Sequence, residues 1–344
     1  MTQWSTFLAY YHSLRPQPSI CQWRLYCRIF PIIHTSTMQL LLFVLLSVLG
    51  CGWSFTLTST SRVGRGVLSL NLNQGRNMQF AAPDGSKLSY DLFRKRGGGP
   101  PESPIVFLPG LIRQKSDVKA TNLQAFCRKN DLSFFCADYF GVGRSSGSFA
   151  DGSVGRWARD TILLLDEVVG SAEGKVILVG HGVGAWVAFV LASKRPDLVA
   201  GIVGMSADPD FTELLLMKTL PEEVKTKIMT EGQAEITWGS EKYLISKNLI
   251  EDGRQNLLLS GGERSVPVTC PVRLVHALDD EEVPFSLALQ LIKNLKSNDA
   301  HVTLIKGANH ALDGEQEMKT MRSKIVEIMT AFKGDFDLTS PGSG

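Results

Sequence analysis

Three glycines at alternate positions, Gly180, Gly182 and Gly184, constrain this 344-residue chain more than any other feature. They follow the β-branched run 176–179, which predicts a buried strand, and they precede the apolar segment 185–194, which predicts a helix. A strand that turns so sharply into a helix needs residues without a Cβ, because the two backbones pass very close to each other. The pattern therefore predicts a nucleophile elbow, the G-x-S-x-G turn that presents an attacking side chain at its centre.

The centre of this turn is occupied by Gly182, at the position where the G-x-S-x-G pattern has serine. Glycine has no side chain, so this position offers no atom that could attack a substrate. The sequence thus predicts the frame of a hydrolytic site from which the nucleophile is missing, and every functional hypothesis has to account for that loss.

Strand and helix patterns alternate along most of the chain after residue 77. Buried strands are predicted at 105–108, 133–137, 199–205, 272–277 and 302–305. Alternation of this kind predicts an α/β fold with a mostly parallel sheet and helices on both faces. The more polar segment 208–267 interrupts the alternation, and we expect it to form a small helical cap over the site.

The first 77 residues differ in composition from the remainder. They contain no Asp, Glu or Lys, and their only charged residues are arginines, which is typical of organellar targeting peptides. We therefore expect residues 1–77 to be a targeting or anchor segment outside the fold. Residues 78–334 are expected to form one α/β domain, and residues 335–344 a flexible tail.

The targeting segment contains an apolar core at 40–49. Its length of about ten residues suits the apolar region of a signal peptide, whereas a membrane span needs about 20 residues. A transit-like stretch follows, as in the two-part plastid presequences of algae with complex plastids; a mitochondrial presequence is the simpler interpretation. Import into a mitochondrion or plastid is therefore expected. Because the longer segment 38–55 is uncharged, membrane contact, anchoring or entry into the secretory pathway is the alternative.

Composition excludes two classes of function. No cluster of Lys and Arg marks a nucleic-acid surface, so no nucleic-acid partner is expected. The six cysteines are scattered along the chain, and no Cys or His pair has the spacing of a metal site. The sequence predicts neither a metal nor another cofactor, and it gives no indication of the oligomeric state.

Two polar residues could complete a catalytic triad with the elbow. In this kind of fold the order along the chain is nucleophile, acid, base. Asp280 follows the predicted strand 272–277, and His310 follows the predicted strand 302–305. Both therefore lie at the carboxyl ends of strands, where ligands bind to open α/β sheets. We predict that His310 is the general base and that Asp280 fixes its tautomer, with Asp279 as a competing acid.

Two backbone N–H groups are candidates for an oxyanion hole. The strand at 105–108 ends in Pro109-Gly110-Leu111, a turn that can direct the N–H of Leu111 into the site. The second candidate is the N–H of Val183, the residue after the elbow centre. For His181, which precedes that centre, a packing role is expected.

The domain between about residues 80 and 331 resembles the α/β-hydrolase superfamily. More closely it resembles the mitochondrial abhydrolase-domain palmitoyl-protein thioesterases, also known as mycophenolic acid acyl-glucuronide esterases. The matching motifs run in order through the domain and are I-V-F-L-P-G-L at 105–111, A-F-C-R-K at 125–129, D-Y-F-G-V-G-R-S-S-G at 138–147, G-R-W-A-R-D at 155–160, I-L-V-G at 177–180, P-V-T-C-P-V-R-L-V-H at 267–276 and D-D-E-E-V-P at 279–284.

The resemblance implies hydrolysis of S-acyl thioesters and acyl esters, with a small acyl ester or an S-acylated protein as the substrate. It implies that the family's acid falls on Asp280 and its base on His310, and that its oxyanion donors fall on Leu111 and Val183. Its serine nucleophile falls on Gly182, where this chain departs from the family.

Three interpretations of Gly182 remain open. The chain could be a non-catalytic ligand-binding or scaffolding protein, as in the N-myc downstream-regulated proteins, which resemble it in having glycine at the elbow. Another nucleophile could serve, with Ser206 after the next strand as the nearest candidate, or His310 could activate water directly. Finally, Ser and Gly codons differ by one base, so the chain could be a variant of an active thioesterase.

Overall fold

The computed structural model describes residues 74–96, 103–170, 174–238 and 241–333. The predicted tail, the apolar segment 38–55 and all but the last four residues of the predicted targeting segment lie outside the described residues. No helix within the described part of the chain is long and apolar enough to cross a lipid bilayer.

The centre of the domain is an eight-stranded sheet. In chain order its strands are β1 (Gly75–Ala81), β2 (Lys87–Phe93), β3 (Ile105–Leu108), β4 (Phe134–Ala137), β5 (Val176–His181), β6 (Val199–Met205), β9 (Val272–Ala277) and β10 (Ala300–Ile305). In space the order is β1-β2-β4-β3-β5-β6-β9-β10. The first two pairings are antiparallel, and the six strands from β4 to β10 are parallel to one another. The predicted, mostly parallel sheet is confirmed.

Helices cover both faces of this sheet. The described helices are α1 (Val118–Lys129), α2 (Val154–Leu164), α3 (Val183–Lys194), α4 (Met217–Thr219), α5 (Glu222–Glu231), α6 (Lys247–Gln255), α7 (Phe285–Asn294) and α8 (Glu315–Lys333). One apolar cluster includes residues of α2, α3 and α7, and the other includes residues of α1 and α8. Two cores, one on each face, thus hold the sheet between helical layers.

The central strands bury both faces, as parallel strands do. Along β3, Val106 and Leu108 belong to one core cluster, while Ile105 and Phe107 belong to the other. All four side chains are buried. This explains why the central strands are continuous apolar runs in the sequence, without the polar alternation of a sheet that has one face in water.

The elbow helix α3 is apolar all round because it is enclosed. Every residue from Val183 to Ala192 is buried, including Trp186 and Phe189. The indole N–H of Trp186 donates to the backbone carbonyl of Asn256, at 2.9 Å, so its polar atom is satisfied within the core. A helix fixed in this way holds its amino-terminal end, and therefore the elbow, in a defined position.

The first two strands form the hairpin that the sequence predicts around Pro83-Asp84-Gly85. Gly85 adopts a φ of 85°, and the Asp84 side chain accepts hydrogen bonds from the Ser86 backbone at 2.9 Å and hydroxyl at 2.6 Å. Strand β1 begins at Gly75, slightly before the domain boundary expected from composition.

The cap is not wholly helical, which corrects the prediction for part of 208–267. Its centre is a separate antiparallel hairpin of β7 (Gln233–Trp238) and β8 (Glu241–Ser246), flanked by α4 and α5 on one side and α6 on the other. Along β7 burial alternates from residue to residue, which is the period of a strand packed on one face. The β-branched and aromatic residues Ile236, Thr237 and Trp238 favour this conformation.

Candidate active site

The elbow has the predicted geometry around Gly182. This residue separates β5 from α3 and adopts φ 54° and ψ −123°. Its N–H donates to the carbonyl of Met205 at 3.0 Å, and its own carbonyl accepts the N–H of Ala185 at 3.0 Å. Positive φ is a strained conformation for residues other than glycine, and strain of this kind concentrates at functional sites. The backbone of a nucleophile elbow is thus present although its nucleophile is not.

The flanking glycines are required by the close approach of backbone. A Cβ on Gly184 would overlap the carbonyl oxygens of Leu108 and Pro109, and a Cβ on Gly180 would lie 2.5 Å from the backbone nitrogen of Ala185. At Gly182, by contrast, a Cβ would overlap no neighbouring atom. The nearest atom to a Cβ there is Nε2 of His310, at 3.9 Å, so the central position has room for a side chain.

His310 and Asp280 form a hydrogen-bonded pair beside the elbow. Nδ1 of His310 lies 3.0 Å from Oδ2 of Asp280. The other carboxylate oxygen accepts the backbone N–H groups of Glu282 at 3.0 Å and Val283 at 2.8 Å. His310 is attached to the loop after β10 and Asp280 to the loop after β9, so neighbouring parallel strands bring the two together. With Nδ1 bound to the carboxylate, Nε2 faces the position of Gly182.

The acid of this pair is Asp280, whereas Asp279 has a different partner. The carboxylate of Asp279 accepts the backbone N–H of Gly307 at 3.2 Å. Behind Asp280, Nε2 of His276 lies 3.4 Å from the carboxylate and 2.9 Å from the carbonyl of Val283. His276 is fully buried and helps to hold the Asp280 loop, a contact that sequence reasoning missed.

The electrostatics of the pair favour a carboxylate and a protonatable imidazole. Burial alone would raise the pKa of Asp280, but hydrogen bonds from His276 and His310 hold that pKa well below its usual range. Burial would likewise lower the pKa of His310, yet the hydrogen bond and charge of Asp280 raise that pKa above its ordinary value. An imidazole with this partner can accept a proton and remain stabilised as the cation.

The backbone carbonyl of His310 is held by two buried side chains. Nε2 of His181 lies 3.1 Å from this oxygen, and Oγ of Ser206 donates to it at 2.9 Å. Burial lowers the pKa of His181 well below its usual value, with repulsion from Lys119 adding to the effect, so its imidazole is neutral. His181 is therefore a packing and positioning residue, in keeping with the sequence prediction.

Ser206, the alternative nucleophile considered from the sequence, makes a structural contact. Its side chain is fully buried, its hydroxyl is engaged with the His310 carbonyl, and it is not among the residues that line the cavity at the site. Its backbone φ of 41° belongs to the turn that leads from β6 into the cap.

The two predicted oxyanion positions lie at the same cavity as the elbow. Leu111 and Val183 both contribute to its lining, together with Gly182 and His310. Val183 is the first residue of α3, where a backbone N–H has no acceptor within the helix. Next to Leu111, Gly110 makes space for His181, since a Cβ there would lie 3.0 Å from its Nδ1.

The cavity has a volume of about 390 Å³ and two chemically different parts. The cap contributes the apolar and aromatic residues Phe211, Leu216, Ile236, Trp238, Tyr243 and Ile245. The loops at the carboxyl ends of the strands contribute the polar residues beside Gly182. Such a cavity suits a ligand with an apolar chain and one polar group, which is the shape of an acyl compound.

Asp208 is a cavity residue that sequence reasoning did not identify. It follows β6, and its N–H donates to the carbonyl of Gly182 at 3.3 Å. The residue is 7% exposed, and Oδ1 has no hydrogen-bond partner among the described residues. Burial raises the pKa of its carboxyl group to about 8. Its place at the carboxyl end of a parallel strand was the available signal, since polar residues there face ligand sites.

No group of three or more His, Cys, Asp and Glu side chains is arranged to hold a metal ion within the ranges that the structure describes. The three described cysteines, Cys127, Cys136 and Cys270, are free thiols, and burial raises the pKa of each. They lie outside the cavity lining and offer no thiolate nucleophile.

Comparison with known proteins identifies similar sequences. A family model described as serine aminopeptidase, S33, matches residues 99–251. The chain is 32% identical over 250 residues to the mitochondrial palmitoyl-protein thioesterase ABHD10 of Rattus norvegicus, an alignment that covers 72% of this chain and 80% of the relative. It is 28% identical over 254 residues to the protein of the same name from Homo sapiens, with 72% and 78% coverage.

Solved structures show the same fold. The mouse alpha/beta hydrolase domain-containing protein 10 superposes with a TM-score of 0.64 at 27% identity, covering 74% of this chain and 98% of that one. A hydrolase from Agrobacterium vitis superposes with a TM-score of 0.67 at 25% identity, covering 73% and 97%. These matches confirm the α/β-hydrolase fold predicted from the sequence.

Proposed function

Because this chain belongs to the ABHD10 family of palmitoyl-protein thioesterases within the α/β-hydrolase superfamily, we propose that it binds acyl esters or acyl thioesters in its capped cavity without cleaving them by a serine mechanism. The observation that supports this proposal is the combination of a complete elbow backbone with glycine at its centre. The site retains what would hold an acyl group and lacks the atom that would attack it.

The retained parts are those that bind and polarise an acyl carbonyl. The cap supplies an apolar lining for the chain, and Leu111 and Val183 supply backbone N–H groups for the carbonyl oxygen. His310, held by Asp280, directs Nε2 at the carbonyl region. None of these groups depends on a side chain at residue 182, so ligand binding survives the loss of serine.

The cost to catalysis is large. Removing a triad serine typically lowers turnover by about 10⁶, and the oxyanion hole and ligand binding leave a residual acceleration of about 10³–10⁴ over water. We infer that any hydrolysis by this chain is of this residual kind, with His310 accepting a proton from water as the second candidate function. The His310–Asp280 pair, with Nε2 3.9 Å from the Cβ position of residue 182, favours that candidate.

The names of the relatives support a proposal on the ligand and the location of this chain. The relatives are named as palmitoyl-protein thioesterases and as mitochondrial proteins. We propose that this chain takes a small acyl ester or an S-acylated protein, and that residues 1–77 direct it to mitochondria. We also propose that the chain consists of this targeting segment, a domain at 78–334 and a terminal tail at 335–344.

Thermal unfolding of the intact chain in the presence of thioesters tests the proposal. A dodecanoyl thioester is expected to raise the unfolding temperature in a concentration-dependent way, since a ligand that binds only the folded state stabilises it. The acetyl thioester of the same thiol is the control and is expected to give little shift. Thiol release is measured in the same samples. No shift with either thioester would reject binding, and rapid thiol release would contradict the proposed loss of efficient cleavage.

A further inference from the structure

We propose that Asp208 is a ligand-binding residue, which donates a hydrogen bond from its protonated carboxyl group to the carboxylate of a free acyl acid in the cavity. This inference rests on the proposed function, because it assumes that the cap holds an acyl chain. It adds a ligand class, the free acid, and a residue that distinguishes that acid from its thioesters.

The position of Asp208 allows contact with a ligand beside the elbow. It lines the same cavity as Gly182 and His310, and its backbone N–H is bonded to the Gly182 carbonyl at 3.3 Å. Asp208 thus lies beside the elbow, at the start of the cap.

The side chain of Asp208 has a buried polar atom without a hydrogen-bond partner among the described residues. Asp208 is more than nine-tenths buried, and Oδ1 has no hydrogen-bond partner among the described residues. A buried polar atom without a partner is costly, and such atoms in native proteins have a reason for remaining unpaired. A proton on the carboxyl group lowers this cost, because a neutral acid is less costly to bury than a carboxylate. The neighbouring Asp210 shows the contrast, because its carboxylate is saturated by the backbone N–H groups of Leu258 and Leu259, both at 2.8 Å.

The lack of a side chain at Gly182 leaves space in the cavity beside this residue. A serine hydroxyl would occupy the region between residue 182 and Nε2 of His310, whereas glycine leaves this region open. A carboxylate has two oxygens. One can accept from the backbone N–H groups of Leu111 and Val183, and the other can enter the open region, where His310 and Asp208 are the available donors. A thioester has only one such oxygen, so Asp208 has no equivalent partner in it.

The charges in the cavity agree with a protonated Asp208. Burial raises the pKa of this carboxyl group to about 8, and repulsion from Asp280, Glu282 and Asp210 works in the same direction, against the attraction of His310. A neutral carboxylic acid can donate to a carboxylate, and an O–H···O⁻ bond is among the stronger hydrogen bonds. The other ionisable residues of the lining are Arg113, Asp117, Lys119, His181, Tyr243, Glu282 and Asp313.

Equilibrium binding of dodecanoate and of the dodecanoyl thioester to the intact chain tests the inference. The variants are Asp208→Ala, Asp208→Asn and, as a control, Asp313→Asn, which removes an exposed carboxylate from the same lining. We expect Asp208→Ala to weaken dodecanoate binding by about tenfold or more, because a charge-assisted hydrogen bond is lost. Asp208→Asn keeps an N–H donor and is expected to retain binding. Thioester binding is expected to remain unchanged in all three variants.

The pH dependence of dodecanoate binding is a second test. Dodecanoate affinity of the native chain is expected to fall as the pH rises through about 8, since Asp208 then loses its proton and repels the ligand. Deprotonation of His310 also weakens carboxylate binding, and Asp208→Asn isolates that contribution because an amide does not titrate. A smaller fall in Asp208→Asn than in the native chain supports the inference.

The outcomes separate the two proposals. If the thioester binds but Asp208→Ala leaves dodecanoate affinity unchanged, the role of Asp208 is wrong and the proposed function stands. Equal weakening of both ligands by Asp208→Ala would make this residue a structural part of the cavity and would also overturn the inference. If neither ligand binds the native chain, both proposals fail.

Discussion

Nε2 of His310 lies 3.9 Å from the position that a Cβ on Gly182 would occupy. The base therefore faces the nucleophile position, and that position has no side chain. The acid, the base and the elbow backbone surround a position that has room for a side chain and carries none.

Alanine substitution at two glycines of the elbow should have unequal effects on stability. At Gly182, alanine meets no close atom and pays only for the positive φ, so we expect a loss of about 1–2 kcal/mol. At Gly184, alanine overlaps the carbonyl oxygens of Leu108 and Pro109, and we expect a loss above about 3 kcal/mol or failure to fold. Urea unfolding of both variants measures the difference, and similar losses would contradict the described backbone.

Ser206→Ala tests whether Ser206 is structural. The substitution removes one of two hydrogen bonds to the His310 carbonyl, and we expect a loss of about 1 kcal/mol in the free energy of unfolding. A fluorophosphonate probe should not label Ser206 in the native chain, because its hydroxyl is buried. Mass spectrometry of the labelled protein decides the point, and a phosphonylated Ser206 would show that the site has been assigned wrongly.

Asp280 and Asp279 can be distinguished in a chain that carries Gly182→Ser. Asp280→Asn should lower turnover of that chain by about 10⁴, as expected when the orienting carboxylate of a triad is lost. Asp279→Asn removes a charge that does not contact His310 and keeps an oxygen that can accept the Gly307 N–H, so it should retain most of the turnover. Steady-state hydrolysis of a dodecanoyl thioester measures both. A larger loss in Asp279→Asn would reverse the assignment.

The buried carboxyl of Asp208 should make stability depend on pH. Its pKa is about 8 in the folded chain and 3.8 for the ordinary group, so the folded state holds this proton more tightly. The stabilisation is complete below about pH 4 and is lost as the pH rises towards 8. The stability of Asp208→Asn relative to the native chain should therefore increase between pH 5 and pH 8. Chemical denaturation at the two pH values measures this change, and a constant difference would contradict a raised pKa.

Much of the fold could be predicted because its signals are local. The apolar runs of β3, β5 and β9 are buried on both faces, so each is recognisable without knowledge of its neighbours. The glycine spacing of the elbow has a steric cause that acts within a few residues. The order of elbow, acid and base along the chain predicted a site that the parallel strands then bring together.

The hairpin of the cap and the hydrogen bonds that hold the His310 carbonyl could not be predicted, because their sequence signals are weak or ambiguous. The hairpin of β7 and β8 depends on a small number of alternating residues in a polar segment, where helix and strand periods compete. Ser206 has the same sequence signal as a nucleophile, a serine after a strand, and only its contact with the His310 carbonyl reveals its role. The unpaired Oδ1 of Asp208 is equally invisible in sequence, because burial and pairing are tertiary properties.

The most direct measurement compares hydrolysis of a dodecanoyl thioester by the native chain, Gly182→Ser and Gly182→Ala. We expect Gly182→Ser alone to be strongly active, with a gain of several orders of magnitude up to about 10⁶, because His310, Asp280 and the elbow backbone lie together around residue 182. The alanine variant controls for strain at this position. Equal rates for all three chains would contradict the account, since the nucleophile position would then be irrelevant to the reaction.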